Sequence, residues 1–234
     1  MNNVKIIFRE SGILAVIKPK GIVSESTIDR KGIPDVISDI LYPSRNKTII
    51  KTVNRLDKDV SGVMLLAENS QIAGKLIEQI KNDSVNKQYL AVIKGCPAEN
   101  EGFYDDLLFH DSRNNKTYVV DRIRNGVRKA KLKYKVINTV ISDYGKISLL
   151  SIDLYTGRTH QIRVQFSSRK MPILGDFKYG SDIKADIALF CSCMSFIHPV
   201  SNKKIIVKAY PENVFPWNLF NDFIPEFGKI VIEK

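Results

Sequence analysis

The acidic side chains best placed for chemistry in this 234-residue sequence lie in one short segment, Val53-Asn54-Arg55-Leu56-Asp57-Lys58-Asp59-Val60-Ser61-Gly62. Asp57 and Asp59 share a turn with Arg55, Lys58, a hydroxyl and a glycine, between two apolar runs. Loops held by rigid strands are where catalytic groups tend to be placed, although a charged turn by itself is more often simply solvated. Two carboxylates this close also invite a metal, but no further carboxylate or His cluster completes a ligand set. A second segment, Tyr155-Thr156-Gly157-Arg158-Thr159-His160-Gln161-Ile162-Arg163-Val164, follows a strand and opens a helix. There, backbone N–H groups and two Arg side chains can face one anion, and guanidinium pairs bidentately with carboxylate or phosphate. The plain alternative is a basic helix surface. Against it, Gly157 is expected to free a tight turn on which four polar residues converge.

The composition narrows the partner. Lys and Arg number 36 against 25 Asp and Glu, a formal net charge of +11. Such a surplus attracts polyanions by steering and counterion release, which makes nucleic acid the leading partner class. At 44% hydrophobic and 26% charged residues the chain reads as an ordinary globular protein. No run approaches the roughly 20 apolar residues of a membrane span, and the N-terminal residues lack a signal-peptide pattern, so the expected location is the cytoplasm. The three cysteines make no disulfide framework. Cys191 and Cys193 fall on one face of an alternating segment, Cys96 is remote, and reduced thiols are the expectation. The scattered His110, His160 and His198 do not supply zinc-ligand spacing.

The elements that must position these segments are mostly strands. Ile13 to Lys18 reads as a buried strand stopped by Pro19 and turned at Gly21. Thr27 to Asn46 reads as a loop with one small helix. Ile49 to Leu56 and Val63 to Ala67 read as strands joined by the Asp57 turn. Ser70 is the expected cap of a helix carrying Ile72, Ala73, Leu76, Ile77 and Ile80 at helical spacing. Gln88 to Ile93 alternates as a strand with Tyr89, Ala91 and Ile93 on one face. Gly102 to Arg128 is a polar, basic hairpin excursion. Ala130 to Val140 and Lys146 to Leu154 alternate as strands, a second helix begins near Thr159, and Cys191 to Ile197 pairs with Lys204 to Ala209 about His198-Pro199. Clustered strands with few helices predict an α+β fold with a largely antiparallel or mixed sheet. No Gly-x-Gly-x-x-Gly follows a strand, which argues against a dinucleotide fold.

Six segments, in order, resemble the RluA-type pseudouridine synthases. Arg55-Leu56-Asp57 with Ser61-Gly62 is similar to that family's Arg-Leu-Asp, Ser/Thr-Gly signature. Gly157 to Val164 resembles its third motif almost letter for letter. Lys87-Gln88-Tyr89 resembles its Lys-x-Tyr strand, Lys18-Pro19-Lys20-Gly21 its Lys-Pro-x-Gly opening, and Pro172 to Asp176 and His198-Pro199 its later landmarks. The resemblance runs from about Ile13 to Tyr210. It departs at Asn54 and Gln165, where the family commonly has His, and no S4-like RNA-binding domain is expected ahead of Lys18.

The resemblance implies a single catalytic domain over residues 1–234, built on a bent mixed, largely antiparallel sheet in two halves flanking a central basic cleft. A uridine of ribosomal or transfer RNA would be flipped out of its helix into that cleft. Asp57 would break the glycosidic bond, by attacking C1′ or by stabilising the charge that develops there, and the uracil would rejoin through C5. Tyr89 would stack on the uracil and is the candidate base. Arg163 would pair with Asp57 and keep it ionised. Arg55, Lys87, Arg158, His160, Gln161 and Lys18 would bind substrate or order the loop. An isomerisation calls for no metal, nucleotide or redox cofactor, and no membrane or obligate protein partner is expected of what reads as a monomer. Two rivals stay open: a nucleoside or base hydrolase, and a non-catalytic RNA-binding module on the same fold.

Overall fold

The computed structural model describes residues 4–43 and 49–234. In chain order its elements are β1 (Lys5–Glu10), β2 (Ile13–Lys18), α1 (Ile33–Leu41), β3 (Lys51–Thr52), β4 (Ser61–Ala67), α2 (Ser70–Lys81), β5 (Asn86–Lys94), β6 (Glu101–Asp111), β7 (Lys116–Val120), β8 (Val127–Ser142), β9 (Gly145–Leu154), α3 (Gln161–Ser167), β10 (Leu189–Ile197), β11 (Lys204–Ala209) and β12 (Ile230–Glu233). The chain divides into two compact units. The first holds residues 1–87, 190–211 and 228–234, the second residues 88–189 and 212–227.

In the first unit, β1 pairs with β2, β2 with β4, β10 with β11, and β11 with β12, all antiparallel, while β10 joins β4 in parallel. β2 and β4 are buried along nearly their whole length. That is what their continuous apolar runs require, since a strand with one wet face would alternate. α2 lays Ile72, Ala73 and Leu76 inward. Its cap is Asn69 and not Ser70: the Asn69 Oδ1 accepts from the Ile72 N–H at 2.9 Å, so Ser70 is already the first helical residue. The His198-Pro199 hinge is a turn in which His198 Nδ1 accepts from the N–H groups of Val200 and Ser201.

The strand expected over Ile49 to Leu56 shrinks to Lys51–Thr52. Beyond Thr52 the chain is held by side chains and by single backbone bonds, not by a continuing ladder. The loop expected over Thr27 to Asn46 contains α1, and its last residues lie outside those described.

In the second unit, β5 pairs with β9, β9 with β8, β8 with β6, and β6 with β7, all antiparallel. The polar excursion is the β6–β7 hairpin, and β6 also carries β8 on its other edge. β8 runs longer than its apolar alternation suggested and shifts register between Val136 and Asn138. On β5 every residue from Tyr89 to Ile93 is buried, so the Tyr89-Ala91-Ile93 face has no wet counterpart. The α+β, largely antiparallel architecture read from the sequence therefore holds within each unit. Among the described residues the cysteines form no disulfide, and Cys191 is buried while Cys96 and Cys193 are partly so.

Candidate active site

Asp57 is half-buried on a turn whose main chain is fastened from several directions. Val53 N–H donates to Leu65 O at 3.1 Å, and Leu65 N–H donates to the Asn54 Oδ1 at 2.7 Å. The Asn54 side chain thus replaces a backbone carbonyl and carries the β4 pairing one step further. The Ser24 hydroxyl closes both backbone groups of Leu56: it accepts from Leu56 N–H at 2.9 Å and donates to Leu56 O at 2.6 Å. Asp57 O accepts from Val60 N–H, which tightens the turn itself.

Lys18, expected at the substrate, is wholly buried instead. Its ammonium donates to Pro19 O, Lys58 O and Val60 O at 3.0, 2.9 and 2.9 Å. An ammonium has three N–H groups, so this geometry engages all of them with carbonyls around the Asp57 turn. Gly21 N–H adds a second bond to Lys58 O at 2.8 Å. Burial pushes the Lys18 ammonium down to about 8, against the opposing pull of Asp59 and then Asp57. Gly62 closes the turn where β4 meets β10. Its φ is +126°, and a Cβ there would sit 2.4 Å from the Cys191 backbone N and O, so only glycine fits. Arg55 is exposed and pairs with Glu25 at 3.0 Å, a surface pair of little energetic weight.

In the second unit the polar residues of the 155–164 segment are sorted by the fold into different tasks. Gln161, expected at the substrate, closes its own turn: its Oε1 accepts from the Thr156 hydroxyl at 2.8 Å and from Arg158 N–H at 3.1 Å, and its Nε2 donates to Lys131 O at 3.1 Å. The turn does not depend on Gly157. That residue is outside the left-handed region and a Cβ would meet nothing within 4 Å. The left-handed residue is His160, at φ 54° and ψ 23°, a conformation that costs a non-glycine residue about 1–2 kcal/mol. Arg158 is exposed and donates from Nε to Lys129 O at 3.0 Å.

His160 is buried with Nδ1 2.9 Å from the Tyr179 hydroxyl, which also accepts from Thr117 N–H at 2.8 Å. Desolvation pushes the Tyr179 phenol up, so it remains a hydroxyl. The Thr117 hydroxyl proton goes to Thr159 O at 2.8 Å, which leaves His110 Nδ1 as the donor in its 3.0 Å bond to Thr117 Oγ1. A tautomer is thereby assigned from the network.

Arg163 is the most constrained group of this unit. It is 5% exposed, and Asp176, 1% exposed, receives Nε at 2.7 Å and Nη2 at 2.8 Å. This is a bidentate fork that fixes the plane of the guanidinium. The guanidinium carbon also lies 5.1 Å from the centre of the Tyr179 ring. Gln165 donates from Nε2 to Asp106 at 2.7 Å, and Asp106 in turn takes a bidentate contact from Arg169. Sequence reasoning missed Asp176 as a partner, noting it only within a landmark, and missed Ser24, Thr117 and Tyr179 altogether.

Of the predicted residues, Asp57, Arg55, Lys18 and Lys87 lie in the first unit, and Tyr89, Arg158, His160, Gln161 and Arg163 in the second. Lys87 is half-buried and Tyr89 buried on β5, where Tyr89 is opposite Ile152 of β9. Among the described residues no group of three or more His, Cys, Asp or Glu is placed to hold a metal ion, and no helix is long and apolar enough to cross a membrane.

Residues 12–168 match the sequence model of a family described as RNA pseudouridylate synthase. A ribosomal large subunit pseudouridine synthase D of Borreliella burgdorferi is 34% identical over 185 residues, which cover 76% of this chain and 55% of that protein. The chain therefore spans little more than half of that relative's length. A tRNA pseudouridine synthase C of Pasteurella multocida is 28% identical, covering 92% of this chain and 97% of its own. Among solved structures, human RNA pseudouridylate synthase domain containing 1 has a TM-score of 0.75 at 21% identity, over 97% of this chain and 90% of that one, a likeness of fold.

Proposed function

Because the chain belongs to the RNA pseudouridylate synthase family, we propose that it isomerises uridines in RNA to pseudouridine, with Asp57 as the catalytic carboxylate. The observation that carries this reading is the Asp57 turn, a half-buried carboxylate whose main chain is fixed by Lys18, Ser24 and Asn54. Fixing the backbone aims the carboxylate before substrate arrives, which lowers the cost of reaching the transition state. A target uridine must leave its stack to be reached. Asp57 acts at C1′ as the N1–C1′ bond breaks, either as nucleophile or by stabilising positive charge. The uracil turns, C5 bonds to C1′ (displacing Asp57 where it had attacked C1′), the C5 proton is removed by the base, and N1 takes up a proton.

Tyr89 offers the ring face for the uracil and a phenol as candidate base. Arg163, with Nε and Nη2 on Asp176, is assigned to pair with Asp57 and keep it ionised. The exposed Arg55 and Arg158 are assigned to RNA phosphates, and His160, Gln161 and Lys18 to ordering the turns they bridge. No water or redox equivalent is consumed, so the reaction asks for no cofactor. Ribosomal or transfer RNA is the proposed substrate, for which the two relatives above are named, and the cytoplasm the proposed location.

The test is purified protein on RNA from cells lacking the gene, with pseudouridine detected by a chemical label that it retains. Conversion of a small set of uridines is expected. Release of free uracil would mark a base hydrolase instead, and binding with neither product an RNA-binding module.

A further inference from the structure

The β7–β6–β8 sheet of the second unit turns its two faces to different uses. On one face Leu108 and Ala130 are buried against Val164 of α3 and Tyr179. α3 also carries Arg163, so the chemistry proposed for that residue belongs to this side of the sheet. Strand alternation sends Phe103, Phe109 and Tyr118 to the other face, with Tyr118 directly opposite Phe109 in the register. This face is open: Phe103 is 69% and Tyr118 42% exposed. Tyr155, also exposed, lies nearly parallel to Phe103, at 14° with ring centres 6.4 Å apart.

The charge around these rings is mainly positive, with Asp111 opposite Lys116 in the register. Residues 112–135 contain nine Lys or Arg and one acidic residue, Asp121, and so hold most of the chain's +11. Near Phe103 the lysines are answered by carboxylates, Lys131 by Asp105 and Lys133 by Glu101. Around Phe109 and Tyr118 no such ion pair forms among the described residues, although Asp111 stands across from Lys116. The Arg124 guanidinium lies 4.9 Å from the centre of the Phe109 ring, and the Lys116 ammonium, at the sheet edge on β7, lies 5.8 Å from that of Tyr118 and 5.7 Å from that of Tyr179 on the other face. Arg124 and Lys129 have no carboxylate partner among the described residues.

We propose that this open face is a second RNA-binding surface, on which single-stranded RNA flanking the target stacks bases on Phe103 and Tyr118 while Lys116, Arg124 and Lys129 meet its phosphates. It rests on the function proposed above only in taking the polyanion to be RNA. Flat rings interleaved with cations suit unstacked bases on a charged backbone, and the stacking tolerates any sequence. Phe103 and Phe109 stand about 20 Å apart along β6, a span for several nucleotides. An acidic protein would need the cations but not the exposed rings.

The test measures binding of a labelled oligocytidylate of about ten nucleotides, a length within the usual single-strand site size. It contains no uridine, so the readout is independent of catalysis. Replacing both Phe103 and Tyr118 by Ala is expected to weaken binding by about tenfold or more, while Phe103→Tyr with Tyr118→Phe retains wild-type affinity. Wild-type affinity in the double Ala variant would overturn the proposal and leave the catalytic reading standing. Polyglutamate competing as well as oligocytidylate would also overturn it, in favour of an acidic protein partner.

Discussion

At the Asp57 turn the fastening falls on the main chain. Lys18, Ser24 and Asn54 hold backbone groups on either side of Asp57, a partly buried residue of that turn. At Arg163 the fastening falls on the side chain. Helix α3 supplies the backbone, and Asp176 grips two nitrogens of the guanidinium in a buried fork. The difference follows from the groups. A carboxylate on a short stem is aimed once its Cα is placed. A guanidinium on a long flexible stem needs its own head fixed, because about 2 kcal/mol of rotamer entropy otherwise scatters it. The two regions therefore break in different ways.

The largest effect is expected at Gly62→Ala, where the added methyl meets the Cys191 backbone at 2.4 Å and φ is +126°. Neither contact is with a flexible side-chain end, so the junction of β4 and β10 must shift. Loss of soluble folded protein, or a melting temperature lowered by 10 °C or more on the scale of about 2–4 °C per kcal/mol, is expected in a thermal melt. A variant melting with the wild type would show that the turn is not held by this close approach.

Asp176→Asn comes next. It leaves a buried guanidinium facing an amide, and removing one partner of a buried pair costs about 3–5 kcal/mol. Denaturant unfolding should show a loss of that order, with the Asp57 turn unaltered. A loss under about 1 kcal/mol, the range of surface pairs, would mean that the fork is not what fixes Arg163.

Arg163→Lys sharpens the comparison at the level of chemistry. An ammonium cannot reproduce a planar fork, so the single-turnover chemical step should slow by about tenfold, roughly 1.4 kcal/mol, with RNA affinity little changed. Weaker RNA binding at full chemical rate would make Arg163 a phosphate contact.

The smallest effect concerns pH. The Lys18 ammonium is lowered to about 8 from an ordinary 10.5, so the charged form is disfavoured in the folded state. That penalty is complete below about pH 8 and disappears as pH rises from there towards the unfolded value, so this group adds stability over that interval. Its effect on the turn runs the other way. A neutral amine has two N–H groups for three carbonyls, and the turn loosens. The expected result is an alkaline limb in the chemical rate near pH 8, by a few-fold, while the melting temperature does not fall through the same group. A rate flat to pH 9.5 in the wild type would remove Lys18 from the positioning of Asp57.

How legible all this was follows from the same contrast. Continuous apolar runs located β2 and β4, and periodicity located the β8–β9 pair and the body of α2, because burial on a strand or helix is written locally as apolar patterning. The Asp57 turn was visible as an unusual cluster of charge. What holds it was not: Lys18 and Ser24 act from more than thirty residues away on backbone groups, and backbone partners leave no trace in residue type. The strand expected over Ile49 to Leu56 failed for that reason, since its ladder is replaced by side-chain bonds from Asn54 and Ser24. Gly157 misled because a glycine in a turn suggests positive φ, whereas the left-handed position falls on His160 and the turn is closed by Gln161. Asp176 was quoted within a landmark, and only the fold turned it into the partner of Arg163.

The most direct test of the central claim, that Asp57 carries the chemistry, compares Asp57→Asn with Asp59→Asn on the same unmodified RNA. The substitutions remove equal charge and little volume, and the two residues lie on the same pinned turn, so packing should survive in both. Asp59→Asn is expected to convert the wild-type set of uridines, and Asp57→Asn to give no pseudouridine while melting and binding RNA like the wild type. Pseudouridine formed by Asp57→Asn at the wild-type rate would contradict the account.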